Sequence, residues 1–438
     1  MQDNNRFKNR VRFFGCPAGR FRLFYACTVA IAGIGTARAQ QRPLTLDDCV
    51  RLAQGVPSAV TLARQERDIA SRGITQARAG LLPLPQINGG FNYNSPFNGQ
   101  QSFAVLNGVH EYIAQAAISQ EFDTSGRLRA DLARARAEEN AATASLAIAQ
   151  RDLKREVTTA YYRALLTQRL ARVFEDVLTE SKDFERRSRL LLEDGEAAQA
   201  DVVKAALQTS RWTTALRNAQ AEATLARHEL AAFWTQDVAA PLDLEDVLEQ
   251  TLPPEAPAET APFLRRLEFS FFDAQKKSFD AQSRMARSAL YPRLNFSFES
   301  GIDAVTDVWS AGGYAALVNL TIPLFDWGKA RSAATQFQLR GEQTEGNRSI
   351  AQRVFSKDYE DARTRVQTYQ AQIAGLDQQV RLAAQNLELS RIRYQGGEGL
   401  ALDVVTAQDS LAQSRADYYT NLANFWNARA DLEVASGR

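Results

Sequence analysis

The side chains best suited to catalysis and metal binding are scarce in this sequence: 438 residues include only 2 His, 2 Met and 3 Cys. His110, in an expected surface loop, and His228, in an expected helix, have no clustered partner, so neither reads as a metal ligand or a general base. A Ser-His-Asp set, a phosphate loop and a CxxC motif are all missing. The pattern assigns no catalytic residue, no metal ligand and no cofactor, and it argues against an enzyme. What does recur is a glycine turn. Gly195-Glu196 followed by Asp201-Val202-Val203 returns as Gly397-Glu398 followed by Asp403-Val404-Val405, with the spacing preserved. Glycine there suits a helix closing in a left-handed turn, and Asp201 and Asp403 are placed to cap a returning helix.

Residues 1–39 read as a signal peptide. Arg6, Lys8, Arg10, Arg12, Arg20 and Arg22 precede an apolar run over 24–35, and Ala37-Arg38-Ala39 then predicts cleavage before Gln40. The apolar run is shorter than the roughly 20 residues a membrane-spanning helix needs. Cys16 and Cys27 leave with the leader, so Cys49 remains alone and no intramolecular disulfide can form. The leader also removes seven basic residues and Asp3, which leaves 45 basic against 50 acidic residues, a formal charge of −5. An acidic mature chain is a poor partner for nucleic acid. Its mature part holds no apolar stretch of 18 residues, so any membrane crossing must be made by strands.

The elements that would position the glycine turns are duplicated. Ala77-Arg78-Ala79-Gly80-Leu81-Leu82-Pro83 is echoed by Ala286-Arg287-Ser288-Ala289-Leu290-Tyr291-Pro292, and Phe122-Asp123 before Gly126 is echoed by Phe325-Asp326 before Gly328. The shift drifts only from 209 to 202 positions between the first echo and the glycine turns. Two units follow, 44–238 and 263–436, joined by a linker over 239–262 that carries Pro241, Pro253, Pro254, Pro257 and Pro262. Residues 125–193 have almost no Pro or Gly and keep Leu146, Leu153, Val157, Tyr161 and Leu165 at helical spacing, which predicts one helix of about 100 Å. The second unit repeats it over 328–395, interrupted by Gly341, Gly346 and Gly375. Shorter helices at 58–82, 199–234, 263–290 and 402–434 would lie antiparallel along the long ones.

After each Pro83 or Pro292 the period changes to two. Ile87, Phe91 and Tyr93 alternate with Gln86, Asn88 and Asn92, while Leu294, Phe296 and Phe298 alternate with Asn295, Ser297 and Glu299. Strands are expected at about 86–94, 112–122, 294–300 and 314–324, with loops near 95–109 and 301–312. Spans of this length with one apolar face match tilted bilayer-crossing strands, and Tyr93, Tyr112, Phe122, Tyr291 and Tyr314 suit interfacial girdles. A small soluble hairpin would show the same alternation. Four strands cannot close a membrane barrel, for which about eight is the minimum, but three chains would supply twelve.

In this arrangement the sequence resembles the TolC-type outer-membrane efflux family. The resemblance rests on Leu44-Thr45-Leu46-Asp47-Asp48, on the duplicated approach to the strands, and on the paired glycine tips, and it covers 44–436. It implies a mainly α fold with a membrane β-barrel: a long antiparallel α-helical barrel plus four strands per chain in a trimeric twelve-stranded barrel. The implied function is the outer-membrane exit duct of a tripartite efflux or type I secretion system. The implied partners are two further copies, a periplasmic adaptor, an inner-membrane pump of RND, ABC or MFS type, and outer-membrane lipid. By the same resemblance Gly195, Glu196, Gly397 and Glu398 form the tip that docks the adaptor, and Tyr394, Asp403 and Asp201 lie at the tunnel constriction. Gly399 stands where some members carry a gate-locking Arg and Thr406 where some carry a second tip Asp, so the gate would be more weakly latched or held by Glu196, Glu398 or Arg393 instead. The alternative is a soluble periplasmic coiled-coil adaptor, which explains the helices and export but not the duplicated strands.

Overall fold

A computed structural model describes residues 42–93, 110–251, 253, 260–304 and 312–438. The expected signal peptide and the hairpin loop segments 95–109 and 305–311 lie outside the described residues. Pro43–Arg438 packs as one unit. Its helices are α1 (Leu46–Gln54), α2 (Ala59–Ala79), α3 (Arg127–Glu193), α4 (Gln199–Ala231), α5 (Leu267–Ser288), α6 (Lys329–Gln395) and α7 (Ala401–Ala435). Its strands are β1 (Leu84–Tyr93), β2 (His110–Phe122), β3 (Arg293–Ala304) and β4 (Gly312–Thr321). The order α2-β1-β2-α3-α4 returns as α5-β3-β4-α6-α7. Both long helices have 67 residues, about 100 Å each at 1.5 Å per residue. None of Gly341, Gly346 and Gly375 interrupts α6; Gly341 is buried against α5, where a Cβ would make ordinary contact, 3.6 Å from Asp280 Oδ1 and 4.0 Å from Phe279 Cβ.

Short helices lie along each long one, α2 and α4 on α3, and α5 and α7 on α6, with α3 also packed on α5 and α7. Where α4 ends, a belt closes the core. Tyr161, Val157, Leu165, Leu230, Leu248 and Cys49 are fully buried there. Part of the linker crosses this belt as a strap: Leu44 bridges Leu244, the Tyr161 hydroxyl donates to the Glu245 carbonyl at 2.6 Å, and Trp426 Nε1 donates to the Leu248 carbonyl at 3.2 Å. Burial pushes the Cys49 thiol up to about 12, with Asp48 adding to it, so this cysteine stays protonated and inert.

The strands form one antiparallel sheet in the order β1-β2-β3-β4. Their ends differ from the expected ones. β1 begins at Leu84 and β3 runs on to Ala304, while β4 stops at Thr321, just before Pro323, which has no N–H to give to a ladder. His110, expected in a loop, instead opens β2, with its ring 5.3 Å from Tyr93 and 5.9 Å from Phe91.

Candidate functional site

Register decides what the sheet can do. Ile87 faces Ala116, Ile118 faces Phe298, Phe296 faces Val318 and Leu294 faces Leu320, so the apolar alternation of each strand is in phase with its neighbours. One face therefore carries Ile87, Phe91, Tyr112, Ile118, Leu294, Phe296, Phe298, Tyr314, Val318 and Leu320 without a charged residue. The other carries Gln86, Asn88, Gln115, Ser119, Glu121, Arg293, Asn295, Ser297, Glu299 and Asn319, with Leu84, Ile113 and Leu317 as its large apolar exceptions. Phe91 meets Tyr112 at 5.2 Å and Phe298 meets Tyr314 at 6.2 Å, an aromatic border at one end of the apolar band. Nearly every residue of β1 and all of β4 are exposed. Among the described residues, no other element pairs with either edge strand of the sheet.

At the far end of the long helices lie the two glycine turns. Gly195 (φ 79°) and Gly397 (φ 75°) are left-handed. The Glu196 and Ala197 N–H groups donate to the Leu191 carbonyl at 2.8 and 3.1 Å, and the Glu398 and Gly399 N–H groups donate to the Arg393 carbonyl at 3.0 Å each. Gly195, Glu196, Gly397 and Glu398 are all exposed. A Cβ on Gly397 would meet nothing within 4 Å, so Gly397→Ala carries only the backbone cost of a left-handed alanine, roughly 1–2 kcal/mol. Thermal unfolding of the helices should show that loss. Gly399 is different: a Cβ there would lie 2.9 Å from Tyr394 N, so any larger residue at this position, arginine included, needs a different turn.

Asp201 and Asp403 are not the capping residues themselves. The caps are Ala198 and Leu400, and each aspartate is the third residue of its helix. Asp403 is exposed, and its carboxylate reaches back to accept the Leu400 N–H at 3.3 Å. Asp201 pairs with Lys204 at 3.3 Å. Tyr394 departs furthest from expectation: its ring is buried against Phe184, 5.2 Å away, and its hydroxyl donates to Ser188 Oγ at 3.3 Å. In this conformation it ties α6 to α3. Three further ties went unread in the sequence. Arg391 Nη1 donates to Glu180 at 2.8 Å, Arg415 pairs with Asp176 at 3.7 Å, and Gln208 Nε2 donates to Asp409. Arg393, exposed, and Thr406, whose hydroxyl donates to the Leu402 carbonyl at 2.9 Å, take no part in them.

A family model described as outer membrane efflux protein matches residues 58–236 and 265–438. The chain belongs to this family. The cobalt-zinc-cadmium resistance protein CzcC of Cupriavidus metallidurans is 24% identical over 413 residues, covering 90% of each chain. The outer membrane protein VceC of Vibrio cholerae shares the fold with a TM-score of 0.79 at 19% identity, over 90% of this chain and 96% of that one. The open state of the Neisseria gonorrhoeae MtrE outer membrane channel gives a TM-score of 0.79 at 20% identity, over 90% of this chain and 88% of that one. An outer membrane efflux protein sits in the outer membrane and extends into the periplasm as a channel, which sets aside the soluble adaptor. No helix among the described residues is long and apolar enough to span a bilayer, so the two-faced sheet is the part suited to lipid.

Proposed function

We propose that this efflux protein is one third of a passive exit duct, in which three copies close head to tail and cargo passes without chemistry. The observation that carries this reading is a sheet with one apolar and one polar face whose two edge strands, β1 and β4, have no outer partner among the described residues. Strand direction alternates across the sheet, so β4 of one copy meets β1 of the next antiparallel, like every pair within the chain. Twelve strands can close and leave no edge in lipid, whereas four cannot. The helices favour the same arrangement. Large apolar side chains stand exposed on the flanking helices: Leu62 and Ile69 on α2, Leu207 and Leu225 on α4, and Leu339, Ile350, Leu382 and Leu389 on α6, whereas α3, between them, exposes only Leu190. Apolar stripes on opposite flanks are covered by a cyclic array of identical copies.

The exposed tip turns Gly195-Glu196 and Gly397-Glu398 then form the surface for a periplasmic adaptor, through which an inner-membrane pump of RND, ABC or MFS type delivers cargo. Asp403, exposed beside its turn, supplies an acidic ring of three carboxylates at the constriction. Tyr394, bonded to Ser188, ties α6 to α3 beside it, and Asp201, paired with Lys204 within α4, adds its carboxylate at the other turn. A ring of this sign favours cations and disfavours anions. CzcC is named for resistance to cobalt, zinc and cadmium, which makes divalent cations the first cargo to test. In a planar bilayer, Asp403→Asn should move the cation-to-anion permeability ratio severalfold toward unity with the protein still assembled. A ratio unchanged by Asp403→Asn would remove Asp403 from the constriction.

A further inference from the structure

The chain leaves the sheet twice, by related turns. Phe122-Asp123-Thr124-Ser125-Gly126 leads from β2 into α3, and Phe325-Asp326-Trp327-Gly328 leads from β4 into α6, one residue shorter. Each turn uses its aspartate to cap the long helix. Asp123 accepts the Leu128 and Arg129 N–H groups at 2.9 and 3.2 Å, and Asp326 accepts those of Gly328 and Ala330 at 3.0 and 2.8 Å. Both helices follow a left-handed glycine, Gly126 at φ 74° and Gly328 at φ 82°. What differs is the neighbour. Beside β2 lies β3, and the Thr124 hydroxyl donates to the Pro292 carbonyl, just ahead of that strand, at 2.8 Å. Beside β4 the described residues offer no further strand.

There, in place of Thr124-Ser125, stands Trp327. Its φ is 57°, a left-handed conformation that costs a non-glycine residue free energy. Trp327 is 89% exposed, and it stands edge-on to Phe325 with centroids 4.7 Å apart; Phe325 itself is 71% exposed and Leu324 93%. Backbone strain and a contiguous exposed apolar patch coincide at one turn, and no contact among the described residues accounts for either.

We infer that this turn is the seat for residues 81–84 of a second copy, with Trp327 lying across Pro83. The occupant follows from the repeat and from continuity with the sheet-edge closure proposed above, on which this inference rests. Pro83 precedes β1 as Pro292 precedes β3, and in the closed barrel β1 of the next copy follows β4 as β3 follows β2. The contact between Thr124 and Pro292 within the chain thus maps onto Trp327 and Pro83 between chains. The indole N–H takes the place of the threonine hydroxyl as donor to the proline carbonyl, and the ring covers Leu82 and Leu84, which are 64% and 60% exposed in the single chain. A tryptophan rather than a threonine suits a contact between separate chains, where buried aromatic anchors carry much of the binding energy.

The test is p-benzoylphenylalanine at position 327, irradiated in native outer membranes, with native mass measured in parallel. A covalent dimer whose cross-linked peptide contains residues 81–84 is the expected product. Assembled trimers in which position 327 labels lipid, as a membrane-anchoring aromatic would, overturn the contact and leave the closure standing. Monomers by native mass overturn the closure and the contact with it. Trp327→Gly supplies an independent reading, because it relieves the backbone while removing the ring. Trimer dissociation should become roughly tenfold faster, and an unchanged or slower rate contradicts the inference.

Discussion

Val318→Arg is expected to abolish assembly in the outer membrane, while Asn319→Arg, one residue along the same strand, leaves it nearly intact. Val318 lies within β4, paired with Phe296 on the apolar face, and Asn319 is paired with Asn295 on the polar face. A charge on the lipid face of a membrane strand costs roughly 2–4 kcal/mol at the bilayer midplane, and a threefold assembly incurs that cost in every copy. The lumen face keeps its water, so an arginine there stays hydrated. The readout is the amount of heat-modifiable trimer in isolated outer membranes. Equal loss for both substitutions would mean that the two faces of the sheet are not lipid and lumen.

The second large effect lies in the belt. Arg151 on α3, Glu268 on α5 and Arg266 just before α5 form a largely buried triad, with side chains 11%, 18% and 9% exposed. Arg266 Nη2 donates to Glu268 Oε1 at 2.7 Å, and Arg151 reaches the same carboxylate at 2.9 and 3.0 Å. The Arg266 guanidinium also lies 3.7 Å from the centre of the Phe355 ring. Glu268→Gln leaves two buried cations short of their shared anion, at a cost of roughly 3 kcal/mol, near the low end of such effects because Arg151 keeps Asp152 at 2.8 Å. Burial pushes the Glu268 carboxyl up, but hydrogen bonds from Arg266 and Arg151 more than offset this and hold it at about 2, against 4.5 ordinarily. A carboxylate held low stabilises the fold in full above its ordinary value and loses that contribution as pH falls toward the held one. The unfolding free energy of the natural protein should therefore decline between about pH 4.5 and 2, and Glu268→Gln should flatten that decline. Parallel pH curves for the two proteins would show that the triad contributes nothing to acid sensitivity.

Local pattern carried much of this architecture and failed where meaning depends on a distant neighbour. The two-residue period over Leu294, Phe296 and Phe298 marked β3, but Gly301 read as the start of a loop. It lies within the strand, and it is glycine because a Cβ there would fall 2.1 Å from the Ala114 carbonyl of β2. In α3, Ser188 is a buried small polar residue that looks like any surface serine, and its partner Tyr394 lies 206 positions away. No periodicity announces such a pair. Tyr394 was legible as a residue close to the glycine turn, but the direction of its ring was not, since that depends on how α6 and α3 meet. Asp201 and Asp403 were legible as paired positions, and only their surroundings separate a lysine-bound carboxylate from an exposed one. Trp327 carried no signal either, since a tryptophan before a glycine is ordinary until its φ and exposure are known.

The central claim, a three-copy duct with its strands in the outer membrane, is tested most directly by extracting the mature protein from outer membranes in detergent, measuring its native mass and imaging the particles. The account predicts a trimer about 140 Å long, about 100 Å of helix and about 40 Å of strand, with detergent bound only at the strand end. A detergent-free monomer or dimer would contradict it.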